Sequence, residues 1–209
     1  MQQRSRRELQ RSLVNRLAGG LIRLFVERGV SPFHLTYSSF TLSIISAVFY
    51  ALTQASILFA VYGGVSWLIS GFLDAIDGEV ARLSSKTSKQ GAYLDSMFDK
   101  AGEALVCIGI LLSGIVDGVA VLLFCATSLL VSYARARAEG VGVSLKGVGI
   151  AERAERIILI SAASLITPLY PASLNIALYF GAALASITVA WRTIHVIGSL
   201  RGERSSPEA

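Results

Sequence analysis

Residues 71–82 read GFLDAIDGEVAR, so two aspartates, a glutamate and an arginine follow directly on a long apolar stretch. The preceding residues 29–73 contain no Asp, Glu, Lys or Arg. A similar stretch, GAYLDSMFD at residues 91–99, places two more aspartates before another apolar segment. A carboxylate within a membrane span costs roughly 2.5–3.5 kcal/mol on insertion scales. Four carboxylates at the edges of apolar segments therefore indicate a functional site.

The composition is typical of a polytopic membrane protein. Hydrophobic residues make up 53% of the 209 residues, charged residues only 16%, and the mean hydropathy is +0.60. A soluble domain usually carries about 25% charged residues. We expect an all-α integral membrane protein whose partner is the lipid bilayer, with no nucleic-acid partner. Cys107 and Cys125 lie in apolar segments without metal-site or CxxC spacing, which favours a packing role.

The apolar segments predict six membrane spans. The long run Ile157–Trp191 has 35 residues without a charge, which as one helix would be about 50 Å long, too long for a hydrocarbon core of about 30 Å. The prolines of TPLYP, Pro168 and Pro171, divide it into spans five and six. The first four spans are the runs Leu35–Leu52, Ile57–Leu73, Ala104–Ile115 and Val119–Val131.

All 19 lysines and arginines fall on one side of this six-span arrangement. They precede span one, lie around the junctions of spans two and three and of spans four and five, or follow span six. The turns on the opposite side carry one charged residue, Asp117. By the positive-inside rule, we expect a multi-pass protein of the cell membrane with both termini and the carboxylates on the cytoplasmic side.

The N-terminal residues 1–30 form a separate predicted element. Leucines recur at helical spacing, with arginines elsewhere on the helical wheel. One interpretation is an amphipathic helix on an anionic membrane surface; the other, compatible with it, is a helix packed against the cytosolic end of the bundle. The predicted membrane domain covers residues 31–200, and a polar tail covers 201–209. The leucines are Leu9, Leu13, Leu17, Leu21 and Leu24.

The acidic residues share helix faces. Asp74, Asp77, Gly78, Ala81 and Arg82 are spaced i, i+3, i+4, i+7 and i+8, which places them on one face of a helix. Gly91, Asp95 and Asp99 at i, i+4 and i+8 share a face of the next helix. Two helices joined by the short loop 83–90 run antiparallel, so both faces can line one cleft, and the small residues leave its floor open to a bulky ligand.

Clustered carboxylate oxygens favour hard divalent cations, Mg²⁺ or Mn²⁺, and no His or Cys is near enough in sequence to suggest zinc. Two ions bridged by shared carboxylates would suit a displacement at phosphorus. The alternative is a set of aspartates solvated at helix ends and paired with nearby lysines.

The pattern D-x-x-D-G-x-x-A-R-x(8)-G-x-x-x-D-x-x-x-D, from Asp74 to Asp99, resembles the signature of the CDP-alcohol phosphotransferases at every fixed position. The resemblance implies transfer of a phospholipid moiety from a CDP-linked lipid to an alcohol, with release of CMP. It implies that Asp74, Asp77, Asp95 and Asp99 bind two metal ions, and that Asp99 is also the catalytic base. The CDP-lipid would be bound by Gly78, Ala81, Arg82, Ser88 and Gly91.

One element departs from the family pattern. Members often have Asn or Asp directly after the proline that precedes span one, whereas this chain has Phe33 after Pro32. Phe33 cannot supply that side-chain acceptor, so Thr36 is the candidate for a contact with the nucleotide in this segment.

A second polar cluster concerns the acceptor. Ser132 and Arg135 end span four one turn apart, Arg153 and Arg156 open span five one turn apart, and Arg192 ends span six. Grouped guanidiniums suit a phosphate dianion; the alternative is positive-inside anchoring. The phrases SYARARAEG and GIAERAER also resemble segments of phosphatidylinositol-phosphate synthases and their archaeal counterparts. That resemblance implies inositol 1-phosphate as acceptor, held by Ser132, Arg135, Arg137, Arg153, Arg156 and Arg192.

Three alternatives remain open on the sequence alone. Glycerol 3-phosphate would also use the arginines, and CDP-diacylglycerol and CDP-archaeol share the headgroup that the site would bind. A metal transporter is a third hypothesis, although transporters tend to show internal repeats with charges near the midplane, and neither is evident here. The resemblance further implies a homodimer.

Overall fold

The computed structural model describes residues 18–145 and 147–204, and all regular structure in these residues is helical. Helix α1 is described over residues 18–27. A single 3₁₀ turn, Leu52–Gln54, follows α2. The other helices are α2 (Pro32–Ala51), α3 (Leu58–Leu83), α4 (Lys89–Leu112), α5 (Gly118–Gly140), α6 (Arg153–Ile166) and α7 (Ala172–Arg204).

The helices agree with the predicted apolar segments and extend several of them. Helix α3 continues through Leu83, ten residues past the predicted end of span two at Leu73, so the first aspartates lie within a helix. The predicted break at the TPLYP segment is confirmed, because α6 ends at Ile166 and α7 begins at Ala172. Helix α7 is described through Arg204, so it continues past residue 201; the boundary of the polar tail stays a prediction.

Four helices in the described part of the chain are long and apolar enough to cross a membrane: Pro32–Gln54 (α2 with its 3₁₀ turn), α3, α5 and α7. Helix α6 has 14 residues, or about 21 Å, which is shorter than a hydrocarbon core of about 30 Å. Residues 89–103 of α4 include the charged Asp95, Asp99, Lys100 and Glu103. Spans by α4 and α6, and with them the six-span topology and its orientation, remain predictions.

Helix α1 packs against the end of the bundle in its described part. Ala18 and Ile22 are buried in a cluster with Leu35 of α2 and Ile76 and Val80 of α3. This supports the packed interpretation of the N-terminal segment. The contacting face includes Ile22, whereas Leu24 is exposed. Leu9, Leu13 and Leu17 of the predicted amphipathic helix lie outside the described residues, as do Lys146 and residues 205–209.

Helices α2 to α7 pack in a ring in the order α2, α3, α6, α7, α5, α4 and back to α2. Helices α3 and α4 are therefore separated by α2 on one side and, on the other, by α6, α7 and α5. This separation accounts for the predicted cleft between the two acidic faces. The polar ends of α3 and α4 face each other, but the backbones of the two helices are not closely packed.

Small and hydroxyl residues bring α2 close to its neighbours. A Cβ placed on Gly109 of α4 would lie 2.2 Å from the carbonyl oxygen of Ala47, and one on Gly102 would lie 2.8 Å from Oγ of Ser43. Ser43 and Ser70 hydrogen-bond across α2 and α3 at 2.9 Å. Such contacts are typical of helices that pack in a membrane, where close backbone approach replaces the hydrophobic driving force.

Asp117 caps the start of α5. Its carboxylate accepts hydrogen bonds from the backbone N–H of Val119 and the hydroxyl of Tyr179. These donors hold the pKa of Asp117 below its usual range, with the Tyr179 hydroxyl contributing most. The carboxylate therefore stays charged at neutral pH and belongs to the cap rather than to the acidic cluster.

We predict that Gly109→Ala destabilises the protein, because the added methyl group would force α2 and α4 apart. Overpacking typically costs about 1–3 kcal/mol, which the roughly 1 kcal/mol gain in helix propensity from Gly to Ala offsets only in part. Thermal unfolding in detergent should show a lower midpoint. Gly198→Ala is the matched control, since a Cβ added to Gly198 in α7 would meet nothing within 4 Å, and its midpoint should be unchanged or higher.

Candidate functional site

Three aspartates from two helices come together at one end of the bundle. Asp74 lies in α3, and Asp95 and Asp99 lie one turn apart in α4. Carboxylate oxygens from the three residues all lie within 4.8 Å of one another. The helical spacing of the sequence aligns Asp95 with Asp99, and the ring of helices brings Asp74 opposite them.

The chemistry of this donor set fits a hard divalent cation. Three partly buried carboxylates offer only oxygen atoms, as Mg²⁺ and Mn²⁺ prefer, and their mutual repulsion favours a cation between them. Asp77, the fourth predicted ligand, is not part of this cluster. It is buried, and its Oδ2 accepts a 2.8 Å hydrogen bond from the hydroxyl of Thr36, so its role as a metal ligand stays a prediction.

Arg153 provides a positive charge at the cluster. Its Nη1 lies 2.5 Å from Oδ2 of Asp74 and 2.7 Å from Oδ1 of Asp99. The sequence places Arg153 in the acceptor site, whereas the structure brings its guanidinium directly onto two predicted metal ligands. Arg153, in the first turn of α6, therefore lies where the predicted acceptor site meets the predicted metal site.

Arg156, one turn further along α6, has a different environment. It is 2% exposed. Its Nε and Nη2 donate to the two carboxylate oxygens of Glu103 at 2.8 and 3.0 Å, and its Nη1 donates to the carbonyl of Ala151 at 2.7 Å. The sequence predicts Arg156 as a phosphate ligand; in the structure it is a buried partner of Glu103 that fixes α6 against α4.

Arg192 of α7 is also buried and bonded within the protein. It donates to the carbonyls of Val148 and Val131 at 2.9 and 2.7 Å, and its Nη2 lies 3.5 Å from Glu152. Val131 precedes Ser132, and Glu152 precedes Arg153. Arg192 therefore ties the middle of α5 to the start of α6 and brings the two predicted acceptor segments together.

The remaining predicted acceptor residues lie on α5. Ser132 donates to the carbonyl of Ser128 at 3.4 Å, and the exposed Arg135 pairs with Glu139 one turn later at 3.0 Å. Arg137, with Arg192, lines a groove of about 350 Å³ between α5 and α7. Arg137 thus faces a different opening from the aspartates, and its role in acceptor binding stays a prediction.

A cavity of about 200 Å³ opens beside the aspartate cluster. Its walls come from the start of α2, the end of α3 and the start of α4. A Cβ at Gly78 would meet nothing within 4 Å, so this backbone is open to a ligand. The lining includes Thr36, Asp77, Gly78, Ala81, Ser88, Gly91 and Asp95.

The cavity contains five of the six residues predicted to hold the nucleotide. The sixth, Arg82, is not among its lining residues; its half-exposed side chain pairs with Glu79 one turn earlier in α3. Ser88 also caps α4, because its Oγ accepts the backbone N–H of Gly91 at 2.9 Å. Its hydroxyl thus shapes the cavity wall by fixing the start of the helix.

Several site residues were missed by the sequence analysis. Phe33, Lys86 and Thr87 line the cavity. The sequence analysis treated Phe33 only as a lost acceptor, and Lys86 as a topological charge or an ion-pair partner of the aspartates. Glu103 was also missed, yet a signal existed, since it continues the i+4 series of Gly91, Asp95 and Asp99. The hydroxyl of Thr188, which accepts the backbone N–H of Ala151 at 3.1 Å, has no comparable sequence signal.

Comparison with known proteins shows the family of this chain. Residues 30–194 match the family model described as CDP-alcohol phosphatidyltransferase. Archaetidylinositol phosphate synthase from Pyrococcus horikoshii is 37% identical over 161 residues, covering 77% of this chain and 80% of the relative. The enzyme of the same name from Aeropyrum pernix is 34% identical over 193 residues, covering 86% of this chain and 96% of the relative.

A solved structure shares the fold. The crystal structure of Mycobacterium tuberculosis phosphatidylinositol phosphate synthase with CDP-DAG bound aligns with a TM-score of 0.74 at 25% identity. The alignment covers 87% of this chain and 94% of that chain. The overall helical fold is therefore common to both proteins.

We predict that Glu103→Gln lowers stability strongly, because it leaves the guanidinium of Arg156 buried without a counter-charge. Breaking a buried ion pair by removing one partner typically costs about 3–5 kcal/mol. The matched control is Glu139→Gln in the exposed pair with Arg135, where about 0–1 kcal/mol is expected. Unfolding midpoints in detergent measure both; equal midpoints for the two variants would contradict the structural role of Glu103.

Proposed function

The chain belongs to the CDP-alcohol phosphatidyltransferase family, and we propose that it transfers the phosphatidyl or archaetidyl group of a CDP-linked lipid to inositol 1-phosphate, releasing CMP. The observation that carries this proposal is the cluster of Asp74, Asp95 and Asp99 beside a cavity lined by the other residues of the motif. A metal-binding acidic cluster next to an open backbone suits a pyrophosphate ligand.

The cavity is the proposed nucleotide site. Gly78 and Gly91 leave its walls without side chains, and Thr36 and Ser88 supply hydroxyl groups. Lys86 adds a cation to the lining, and Arg82 would need to leave Glu79 to reach a phosphate in the cavity. The lipid chains of the donor would extend from the cleft between α3 and α4 into the bilayer.

Asp74, Asp95 and Asp99, with Asp77 as a proposed fourth ligand, would hold two Mg²⁺ or Mn²⁺ ions. When bound, such ions neutralise the pyrophosphate and stabilise the charge that develops on the leaving CMP. Asp99 then has a second proposed role. The free carboxylate oxygen of Asp99 accepts the proton of the acceptor hydroxyl. The hydroxyl oxygen of the acceptor bonds to the lipid-linked phosphorus as the bond from phosphorus to CMP breaks.

The acceptor site is proposed at the junction of α5, α6 and α7. Arg153 lies next to the cluster, and Arg192 joins the segments that carry Ser132 and Arg153. Guanidinium groups bind phosphate through paired hydrogen bonds. We assign direct phosphate contact to Ser132, Arg135 and Arg153, and a positioning role to Arg156 and Arg192, because both are buried in contacts within the protein.

The identity of the acceptor is supported by the names of the relatives, which are archaetidylinositol phosphate synthases and a phosphatidylinositol phosphate synthase. Glycerol 3-phosphate stays the second candidate, because the same cationic groups would bind its phosphate. We further propose that the protein lies in the cell membrane with its site at the cytosolic face, and that it forms a homodimer.

An acceptor panel tests the proposal. The purified full-length protein is incubated with Mg²⁺ and either CDP-diacylglycerol or CDP-archaeol, and CMP release is followed with inositol 1-phosphate, glycerol 3-phosphate, free inositol or serine. We expect the highest rate with inositol 1-phosphate and no release in EDTA. A higher rate with glycerol 3-phosphate would reassign the acceptor. Metal uptake into vesicles without CMP release would instead support a transporter.

We predict that Asp99→Asn nearly abolishes CMP release, because an amide cannot accept the proton. General bases contribute about 10²–10⁴-fold to rates, so less than about a tenth of the wild-type rate should remain. Asp117→Asn is the control, since this exposed aspartate caps the opposite end of α5, and its rate should match the wild type. Retained activity in the Asp99 variant would exclude Asp99 as the base.

A further inference from the structure

Arg153 and Arg156, one turn apart on α6, differ in how many of their guanidinium nitrogens form hydrogen bonds or ion pairs within the protein. Arg156 donates three hydrogen bonds from three nitrogens to Glu103 and Ala151. Arg153 reaches Asp74 and Asp99 through a single nitrogen, Nη1. Its Nε is buried and has no hydrogen-bond partner among the described residues. The contact of Arg153 thus lacks the paired geometry that makes an arginine–carboxylate bridge strong.

The carboxylates that Arg153 contacts are needed elsewhere in the proposed reaction. Asp74 and Asp99 belong to the metal cluster, and Asp99 is the proposed base. The guanidinium of Arg153, 2.7 Å from Oδ1 of Asp99, makes this carboxylate a weaker base for the proton of a hydroxyl. A divalent cation and the guanidinium also compete for the same oxygen atoms.

We propose that Arg153 is an exchangeable counter-ion. It neutralises Asp74 and Asp99 in the metal-free enzyme, leaves them when a divalent cation binds, and then turns its guanidinium towards the phosphate of the acceptor. This inference rests on the proposed function for the identity of that phosphate. Glu103 and Arg156 keep the first turn of α6 against α4 throughout, so that only the Arg153 side chain moves.

The exchange couples metal binding to acceptor binding. A phosphate that captures the released guanidinium removes the competitor of the metal, and by linkage the metal raises the affinity for the phosphate by the same factor. The device would favour loading of the metal before the acceptor. It would also prevent the carboxylates from facing each other without a cation.

Titration calorimetry with Mn²⁺ and detergent-solubilised full-length protein, without CDP-lipid, tests the first half of the proposal. Arg153→Gln should bind Mn²⁺ about tenfold more tightly than the wild type, since the competing charge is lost. Arg201→Gln is the matched control, an exposed arginine near the end of α7, and should leave the Kd unchanged. Unchanged or weaker binding by Arg153→Gln would overturn the proposal.

Repeating the titration with saturating inositol 1-phosphate separates exchange from simple charge repulsion. The wild-type Kd for Mn²⁺ should fall about fivefold or more, and this effect should vanish in Arg153→Gln. Equal effects of the phosphate on both proteins would mean that Arg153 does not pass from the aspartates to the acceptor, and would overturn the proposal.

Two further measurements distinguish the proposed exchange from misfolding of the variant. The unfolding midpoint of Arg153→Gln should lie below the wild type in EDTA and recover in Mn²⁺, because the metal replaces the lost cation. Arg153→Lys, which keeps the charge, should bind Mn²⁺ less tightly than Arg153→Gln; equal affinities would contradict competition by the charge. If the wild type releases no CMP, the proposed function fails, while titrations with inorganic phosphate still test the exchange.

Discussion

The contact between the first turn of α6 and the carboxylates of α3 and α4 holds the candidate site together. Arg153 faces Asp74 and Asp99, and Arg156 faces Glu103. Carboxylates near an apolar interior are costly without a positive partner, so the acidic motif can exist in this place only because α6 supplies these charges. The two contacts follow the helical repeat of both helices. Arg153 and Arg156 are one turn apart on α6, and their partners Asp99 and Glu103 are one turn apart on α4.

The alignment of these contacts depends in turn on packing far from the charges. Helix α6 follows a loop held by Arg192, which bonds the carbonyls of Val148 and Val131, and by the hydroxyl of Thr188. On the other side of the ring, Gly102 and Gly109 let α4 approach α2 closely. Arg192 therefore helps to position the start of α6 by holding backbone carbonyls. The two glycines help to position α4, which carries Asp95 and Asp99.

The sequence analysis identified the components of the site more reliably than their partners. Asp74, Asp95 and Asp99 were predicted as a cluster, and the structure brings them together. Thr36, Gly78, Ala81, Ser88 and Gly91 were predicted at the nucleotide and line one cavity. The arginines were interpreted as one anion site, yet the structure divides them among a cluster contact, a buried ion pair and a loop support. Arg82 was predicted to bind the CDP-lipid; it does not line this cavity and pairs with Glu79, so its role stays a prediction.

The sequence by itself determined the helices and the faces that carry the aspartates, because a helix repeats every 3.6 residues and apolar length is a local property. It also determined the break between α6 and α7, since proline cannot continue a helix. Only the tertiary structure decided which arginine meets which carboxylate. Arg153, Arg156 and Arg192 are chemically identical, and their partners depend on distances between helices that no local pattern encodes. For the same reason, Asp77 bonds to Thr36 while Asp74, one turn earlier, joins the cluster.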